Sequence, residues 1–208
     1  MSAQVMAATE RGAMELALRL LRRGEVLAFP TDTVYGIGAH VFTPSAVEAL
    51  YKIKGRQPDK AIPLLLASPE DMAAVALEVP PLAWLLAERF WPGGLTLVLQ
   101  AAPHLPAEVT AGGTTVAVRL PDHAVPLALI NALGAPLAAT SANRSGEADP
   151  VTAAEIGQEL RQSIALILDG GACRQGQPST VLDLTVEPPA LLRRGAIAVD
   201  ELSAFVPI

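Results

Sequence analysis

Cysteine is nearly missing from this sequence. Cys173 stands alone among 208 residues, so no disulfide can form within the chain, and a reducing, cytoplasmic setting is expected. Long apolar runs are missing as well: residues 64–67 and 164–168 are among the longest, far below the roughly 20 residues that span a bilayer as a helix. No membrane association is expected. Residues 1–9 have neither a basic start nor a long apolar core, which speaks against a cleaved secretory leader. Histidine is scarce, and His40, His104 and His123 fall in no metal-ligand spacing; with one cysteine, no protein-held metal is expected. Basic residues number 15 against 21 acidic ones, a net charge of −6. That balance does not suit a protein that coats nucleic acid, because such binding neutralises many phosphates. A few convergent cations can still hold a compact anion. The GxxxxGK[ST] pattern of a P-loop is absent too.

What is present is a folding sequence. It is 51% hydrophobic and 17% charged, which excludes a disordered polyelectrolyte, and its length suits a single domain. Its 18 prolines and 16 glycines fall between apolar runs and read as rigid turns. Helices are predicted over residues 10–23, capped by Thr9 and ended by Gly24, and from Thr43-Pro44 to Gly55. Others are predicted over 81–90, stopped by Trp91-Pro92, over 124–133, and over 152–160, with Ser68-Pro69 opening one more. Strands are predicted over 26–29, 62–67, 95–99, 115–120, 137–140, 164–168, 180–184 and 191–192. The pair flanking Gly112-Gly113 should be antiparallel. The tail, 200–208, is either a packed segment or a loose end. Together these give one α/β or α+β domain with a mixed sheet, its polar motifs at strand ends.

Four polar clusters interrupt the apolar pattern. Pro30-Thr31-Asp32-Thr33-Val34-Tyr35-Gly36 reads as a turn able to hold a small zwitterion, or as one whose Asp32 and Thr33 satisfy only their own backbone. Lys54-Gly55-Arg56 and Lys60 lie at and beyond a helix C-terminus. The helix dipole explains cations there, and so does a grip on a polyphosphate. Thr140-Ser141-Ala142-Asn143-Arg144-Ser145, directly after a strand, suits either a capped loop or a nucleotide's polar edge. The fourth cluster is dispersed: Arg119 within an apolar strand, Ser179-Thr180, and Arg193-Arg194-Gly195. Arg119, between Val118 and Leu120, must either reach the wet face of the sheet or serve a partly buried anion.

At these clusters, over about residues 10–197, the chain resembles the YrdC/Sua5 family of L-threonylcarbamoyladenylate synthases. The resemblance rests on residues 30–36, Lys54-Gly55-Arg56, Trp91-Pro92-Gly93 and Val118-Arg119-Leu120-Pro121. It rests further on Ser141-Ala142-Asn143, Pro178-Ser179-Thr180-Val181 and Leu192-Arg193-Arg194-Gly195. It implies a single twisted mixed-sheet domain, the short form of the family, with a deep cationic cavity. The implied reaction takes L-threonine, bicarbonate and ATP, with Mg2+, to L-threonylcarbamoyl-adenylate and pyrophosphate. A tRNA threonylcarbamoyltransferase complex would then use the product at adenosine 37 of tRNA, with any direct tRNA contact weak. By similarity, Thr31, Thr33, Tyr35 and Arg119 would receive threonine. Lys54, Arg56, Lys60, Thr140, Ser141, Asn143, Ser179 and Arg193 would bind ATP, with Lys54 and Arg56 acting in catalysis. The chain departs from the family at Gly94, at Arg194 and at Gln57-Pro58. A carbamoyl-handling relative and a non-catalytic RNA-binding or ribosome-associated module are the competing readings.

Overall fold

A computed structural model describes residues 2–57 and 59–207. Pro58, part of the Gln57-Pro58 departure, and the terminal residues Met1 and Ile208 lie outside the described residues.

The chain begins with a strand that the sequence reading missed, β1 (Gln4–Ala7). Three of its four side chains are exposed, so no apolar alternation marks it. Backbone pairing alone places it at one edge of the sheet. Helix α1 (Ala13–Arg22) follows. It starts three residues later than predicted, with Gly12 rather than Thr9 at its N-cap. Its Ala13, Ala17 and Leu21 recur every four residues and are fully buried, the stripe an amphipathic helix turns to a core.

β2 (Leu27–Phe29) runs into the Pro30–Gly36 turn, and the chain returns antiparallel as β3 (Gly36–His40). The sequence Gly-Ile-Gly-Ala-His carries no strand-like alternation. Gly38 is needed because the Phe29 ring lies 2.8 Å from where a Cβ would stand. α2 (Pro44–Lys54) has proline in its first turn and ends on Gly55 in the left-handed conformation, as predicted. β4 is only Leu64–Leu65. Ser68 and Asp71 form a reciprocal capping box around a 3₁₀ turn that leads into α3 (Met72–Val75).

α4 (Pro81–Phe90) and β5 (Leu95–Gln100) match their predicted spans closely. The short α5 (Ala107–Thr110) was not foreseen. It precedes β6 (Thr115–Arg119), which pairs antiparallel with β5 across the double glycine. α6 (Ala124–Leu133) and β7 (Leu137–Ser141) follow. The helix predicted over 152–160 is instead a 3₁₀ turn (Ala153–Glu155) and then α7 (Gln158–Ser163), broken where Gly157 is extended. β8 (Leu166–Asp169), β9 (Thr180–Asp183) and β10 (Ala190–Arg193) complete the sheet. The tail is packed: α8 (Val199–Ser203) buries Leu202, and Val206 beyond it is 2% exposed.

The strands form one mixed sheet in the order β1-β8-β2-β3-β7-β4-β6-β5-β9-β10. α1 and α6 cover Leu27, Phe29, Leu137 and Leu168 on one face. α2 and α4 contribute Val47, Leu50, Ala83 and Leu86 to a larger core that includes Ala28, Ile37, Leu64 and Leu97 from the sheet. No helix among the described residues is long and apolar enough to cross a membrane.

Candidate active site

The turns at the ends of β2, β6, β7 and β10, together with the C-terminus of α2, converge on a cavity of about 400 Å3. Every site residue proposed from the sequence lines it except Tyr35. Val34, Leu65 and Ala139 give it apolar wall, and Glu147 and Asp149 add carboxylates that the sequence reading did not single out.

At one end stands Arg119, the last residue of β6, only 6% exposed. Its guanidinium is anchored by two segments distant in sequence, the turn after β2 and the Gly93 turn. Nε donates to the Gly93 carbonyl at 2.9 Å, Nη1 to Thr33 Oγ1 at 2.8 Å, and Nη2 to Asp32 Oδ1 at 2.5 Å. Of the two options the sequence left for Arg119, the structure takes the buried anion, and that anion is internal. Asp32 has no exposed surface and also accepts the Asp122 N–H at 3.1 Å. Burial pulls the Arg119 pKa down, while the Asp32 charge pulls it back up. Thr31 organises the turn: its hydroxyl donates to the Val34 carbonyl at 2.7 Å and accepts the N–H groups of Thr33 and Val34. Asp32 therefore does more than satisfy its own turn. The clue in the sequence was Arg119 itself, since an arginine in an apolar strand calls for a carboxylate.

Tyr35 faces away from this end. Its hydroxyl donates to the Gly171 carbonyl at 2.8 Å, lies 3.2 Å from Asp169 Oδ1, and accepts the Gly170 N–H at 3.2 Å. Burial pushes its pKa up to about 12. It therefore staples the turn before β3 to the end of β8 and does not line the cavity.

At the other end the cations gather. Gly55 takes φ +61°, so the chain leaves α2 sharply and Arg56 turns toward the cavity. Lys54 Nζ lies 2.8 Å from the Ser141 carbonyl, 3.0 Å from Ser141 Oγ, 2.8 Å from Asn143 Oδ1 and 3.1 Å from the Asn143 carbonyl. Its three N–H groups are thus shared among four acceptors. The Lys54 carbonyl in turn accepts the Ser145 N–H. Two clusters that looked separate in sequence are one cross-linked unit. Burial, reinforced by Arg56 and Arg193, lowers the Lys54 pKa to about 8, although Asp149 opposes the shift.

Arg56 donates Nε to the Lys60 carbonyl and Nη2 to the Ala61 carbonyl, closing its own loop beside the cavity. Arg193 donates to the Ser179 carbonyl and hydroxyl, each at 3.0 Å, and that hydroxyl lies 2.7 Å from Thr96 Oγ1. This corner depends on Gly195. A Cβ there would stand 2.3 Å from the Pro178 carbonyl, so no other residue lets β10's continuation lie so close to residues 178–179.

One departure from the family pattern, Gly94, has a structural counterpart beside the family marks Gly93 and Pro178. Gly93 supplies both the carbonyl that holds Arg119 and an N–H to the Leu120 carbonyl. A Cβ at Gly94 would meet the Ala196 side chain at 2.7 Å and Gln175 Oε1 at 2.8 Å, so the neighbouring segments pack on bare backbone there. Pro178 bends the chain into β9, where the Thr180 N–H reaches the Gly94 carbonyl.

A mixed sheet whose strand-end turns pool hydroxyls and cations around one cavity defines an α/β domain with a cation-lined pocket at its strand ends. The family model Sua5_yciO_yrdC, described as telomere recombination, matches residues 19–195, and the chain belongs to that family. It is similar to the threonylcarbamoyl-AMP synthase of Pyrococcus abyssi, 42% identical over 95% of this chain and 58% of that protein. The Bacillus subtilis enzyme of the same name is 44% identical over 91% of this chain and 55% of its own length. The chain thus spans a little over half the length of these curated relatives. The crystal structure of P. abyssi Sua5 complexed with L-threonine superposes with a TM-score of 0.91, at 40% identity, over 98% of this chain and 60% of that one.

Proposed function

We propose that this chain makes L-threonylcarbamoyl-adenylate and pyrophosphate from L-threonine, bicarbonate and ATP, in the cytoplasm, to supply a tRNA threonylcarbamoyltransferase complex acting at adenosine 37. The observation that carries the reading is the joining, in one cavity, of an oriented arginine at one end and Lys54, Arg56, Lys60 and Arg193 at the other. Relatives named threonylcarbamoyl-AMP synthase support it, as does the threonine bound to the P. abyssi structure.

The chemistry needs little beyond positioning and charge. The threonine amine, once deprotonated, attacks the bicarbonate carbon and expels water, forming a carbamate. A carbamate oxygen then attacks the α-phosphorus, the bond to the β-phosphate oxygen breaks, and pyrophosphate leaves. In this scheme Arg119 holds the amino-acid carboxylate, with the Thr31 and Thr33 hydroxyls beside it. Lys54, Arg56 and Lys60 offset charge on the phosphates, and magnesium enters with the nucleotide as part of the substrate. Thr140, Ser141, Asn143, Ser179 and Arg193 orient the adenylate. No covalent nucleophile is required, because orientation of bound reactants can supply much of the acceleration.

The test is incubation with ATP, magnesium, L-threonine and bicarbonate, with mass detection of the adenylate. Product at the threonylcarbamoyl-adenylate mass is expected. Product only when carbamoyl phosphate replaces threonine and bicarbonate would favour the carbamoyl-handling reading. Tight RNA binding without ATP or threonine binding would favour the RNA module.

A further inference from the structure

Asp32 stands outside the cavity lining, yet it is the most deeply committed charge in the site. Its carboxylate has no exposed surface. Oδ1 takes both the Arg119 Nη2–H and the Asp122 N–H, while Oδ2 is buried without a hydrogen bond among the described residues. Its backbone is fixed as well, since the Gln175 N–H bonds to the Asp32 carbonyl and the Gly176 N–H to that of Thr33. Leaving a carboxylate oxygen buried and unbonded opposes folding. A residue tied both to the 119–122 stretch and to Gln175 is over-determined for a purpose beyond closing its own turn.

We propose that Asp32 is a positioning residue that gives Arg119 the geometry and the charge needed to select an amino acid at that end of the cavity. The inference rests on the proposed function. Of the five N–H groups a guanidinium carries, Gly93, Thr33 and Asp32 occupy three, leaving two for a ligand carboxylate. The second effect is electrostatic. Asp32 balances Arg119 at 2.5 Å, so the amino-acid end is close to neutral, whereas Lys54, Arg56, Lys60 and Arg193 outnumber the carboxylates near them, Glu147, Asp149 and Asp59. A zwitterion, or its uncharged-amine form, approaches a balanced guanidinium without its amine being repelled. A phosphate is drawn instead to the opposite end. Asp32 thereby separates the two substrates by charge.

Steady-state kinetics on Asp32→Asn, which keeps the side-chain shape and removes the charge, reads this directly. The KM for threonine is expected to rise at least about tenfold while the KM for ATP stays within about twofold, the size of effect a lost charged contact produces. Inorganic phosphate should become a competitive inhibitor against threonine, because Arg119 is then uncompensated. Asp32 acts through Arg119, so adding Asp32→Asn to Arg119→Gln should change the threonine KM less than twofold further, a loss of additivity expected of directly coupled residues. A folded Asp32→Asn protein with an unchanged threonine KM overturns the inference, as do multiplicative effects in the double variant or an equal rise in the KM for ATP. Should Asp32→Asn not fold, NMR of the Arg119 Nε–H in wild-type protein decides. That signal should be protected from exchange and should shift with threonine but not with a non-hydrolysable ATP analogue. An Arg119 signal indifferent to threonine that the protein demonstrably binds is the contrary result. Wild-type protein that binds no threonine would overturn the functional reading and this inference together. Threonine binding with any of the contrary results above overturns this inference alone.

Discussion

Single side chains carry the clearest expectations. In the proposed reaction Lys54 acts as a cation, and burial brings its pKa to about 8 from an ordinary 10.5. Charge is lost as pH rises through that value, so kcat/KM for ATP in the free enzyme should fall above about pH 8 along a one-proton limb. The stability sign is opposite. Between about 8 and 10.5 the unfolded chain binds the proton that the folded one releases, so stability should rise with pH across that window. A pH profile of Lys54→Arg should lack the limb near 8. Lys54→Ala and Arg56→Ala should each reduce ATP-dependent product formation by about 100-fold or more, and near-normal turnover in both would remove the phosphate grip. Arg119→Gln strands Asp32, whose loss of its partner should cost about 3–5 kcal/mol. Thermal melts should show the Asp32→Asn/Arg119→Gln double variant more stable than Arg119→Gln alone. The lining of the candidate site was mostly legible in the sequence because cations and hydroxyls clustered at strand ends. The pairing of Asp32 with Arg119 was not, because 86 residues separate them and only the sheet brings them together.

At the level of strands, helices and turns, legibility followed the local signals. α2 was recognisable because a starting proline, a terminal glycine and 3.6-residue spacing agreed, and α4 because Trp91-Pro92 stops it. β1 and β3 were missed: one exposes most of its side chains, the other is buried on both faces and built on glycines, and neither shows a two-residue period. The 152–160 region has the composition of a helix and is divided at Gly157. Tyr35 illustrates the same limit, since its place in a polar turn suggested a pocket while its hydroxyl binds the end of β8. Tyr35→Phe should therefore lower stability by about 1 kcal/mol, measured in urea, and leave the threonine KM within twofold. A threonine KM raised tenfold in that variant would return Tyr35 to the pocket. Gly195→Ala should be more damaging. It forces β10's continuation away from Ser179 and Arg193, and ATP turnover should drop by at least about tenfold in protein that still unfolds cooperatively.

Across the molecule, charge is sorted by place. The net charge is −6, yet the cavity draws in Lys54, Arg56, Lys60, Arg119 and Arg193. The exterior is left correspondingly acidic, which suits the proposed function, in which a nucleotide is bound in the cavity and RNA is left to a separate partner. Lys54 and Arg119, the buried members of this set, are screened less by salt than exposed cations. Raising salt from about 0.05 to about 0.5 M should weaken ATP binding by less than about tenfold, whereas any tRNA retention should vanish over the same range. A salt slope as steep as that of a nucleic-acid-binding protein would contradict this separation.

The parallel seating of β9 against β5, with Ser179 and Arg193 on the far side of the sheet from β1, carries a consequence for how the chain is born. Among the residues that line the cavity, those side chains emerge last during synthesis, after the turns that meet them have left the ribosome. A nascent chain stalled before residue 193 clears the exit tunnel has no complete cavity, however well its first strands have assembled.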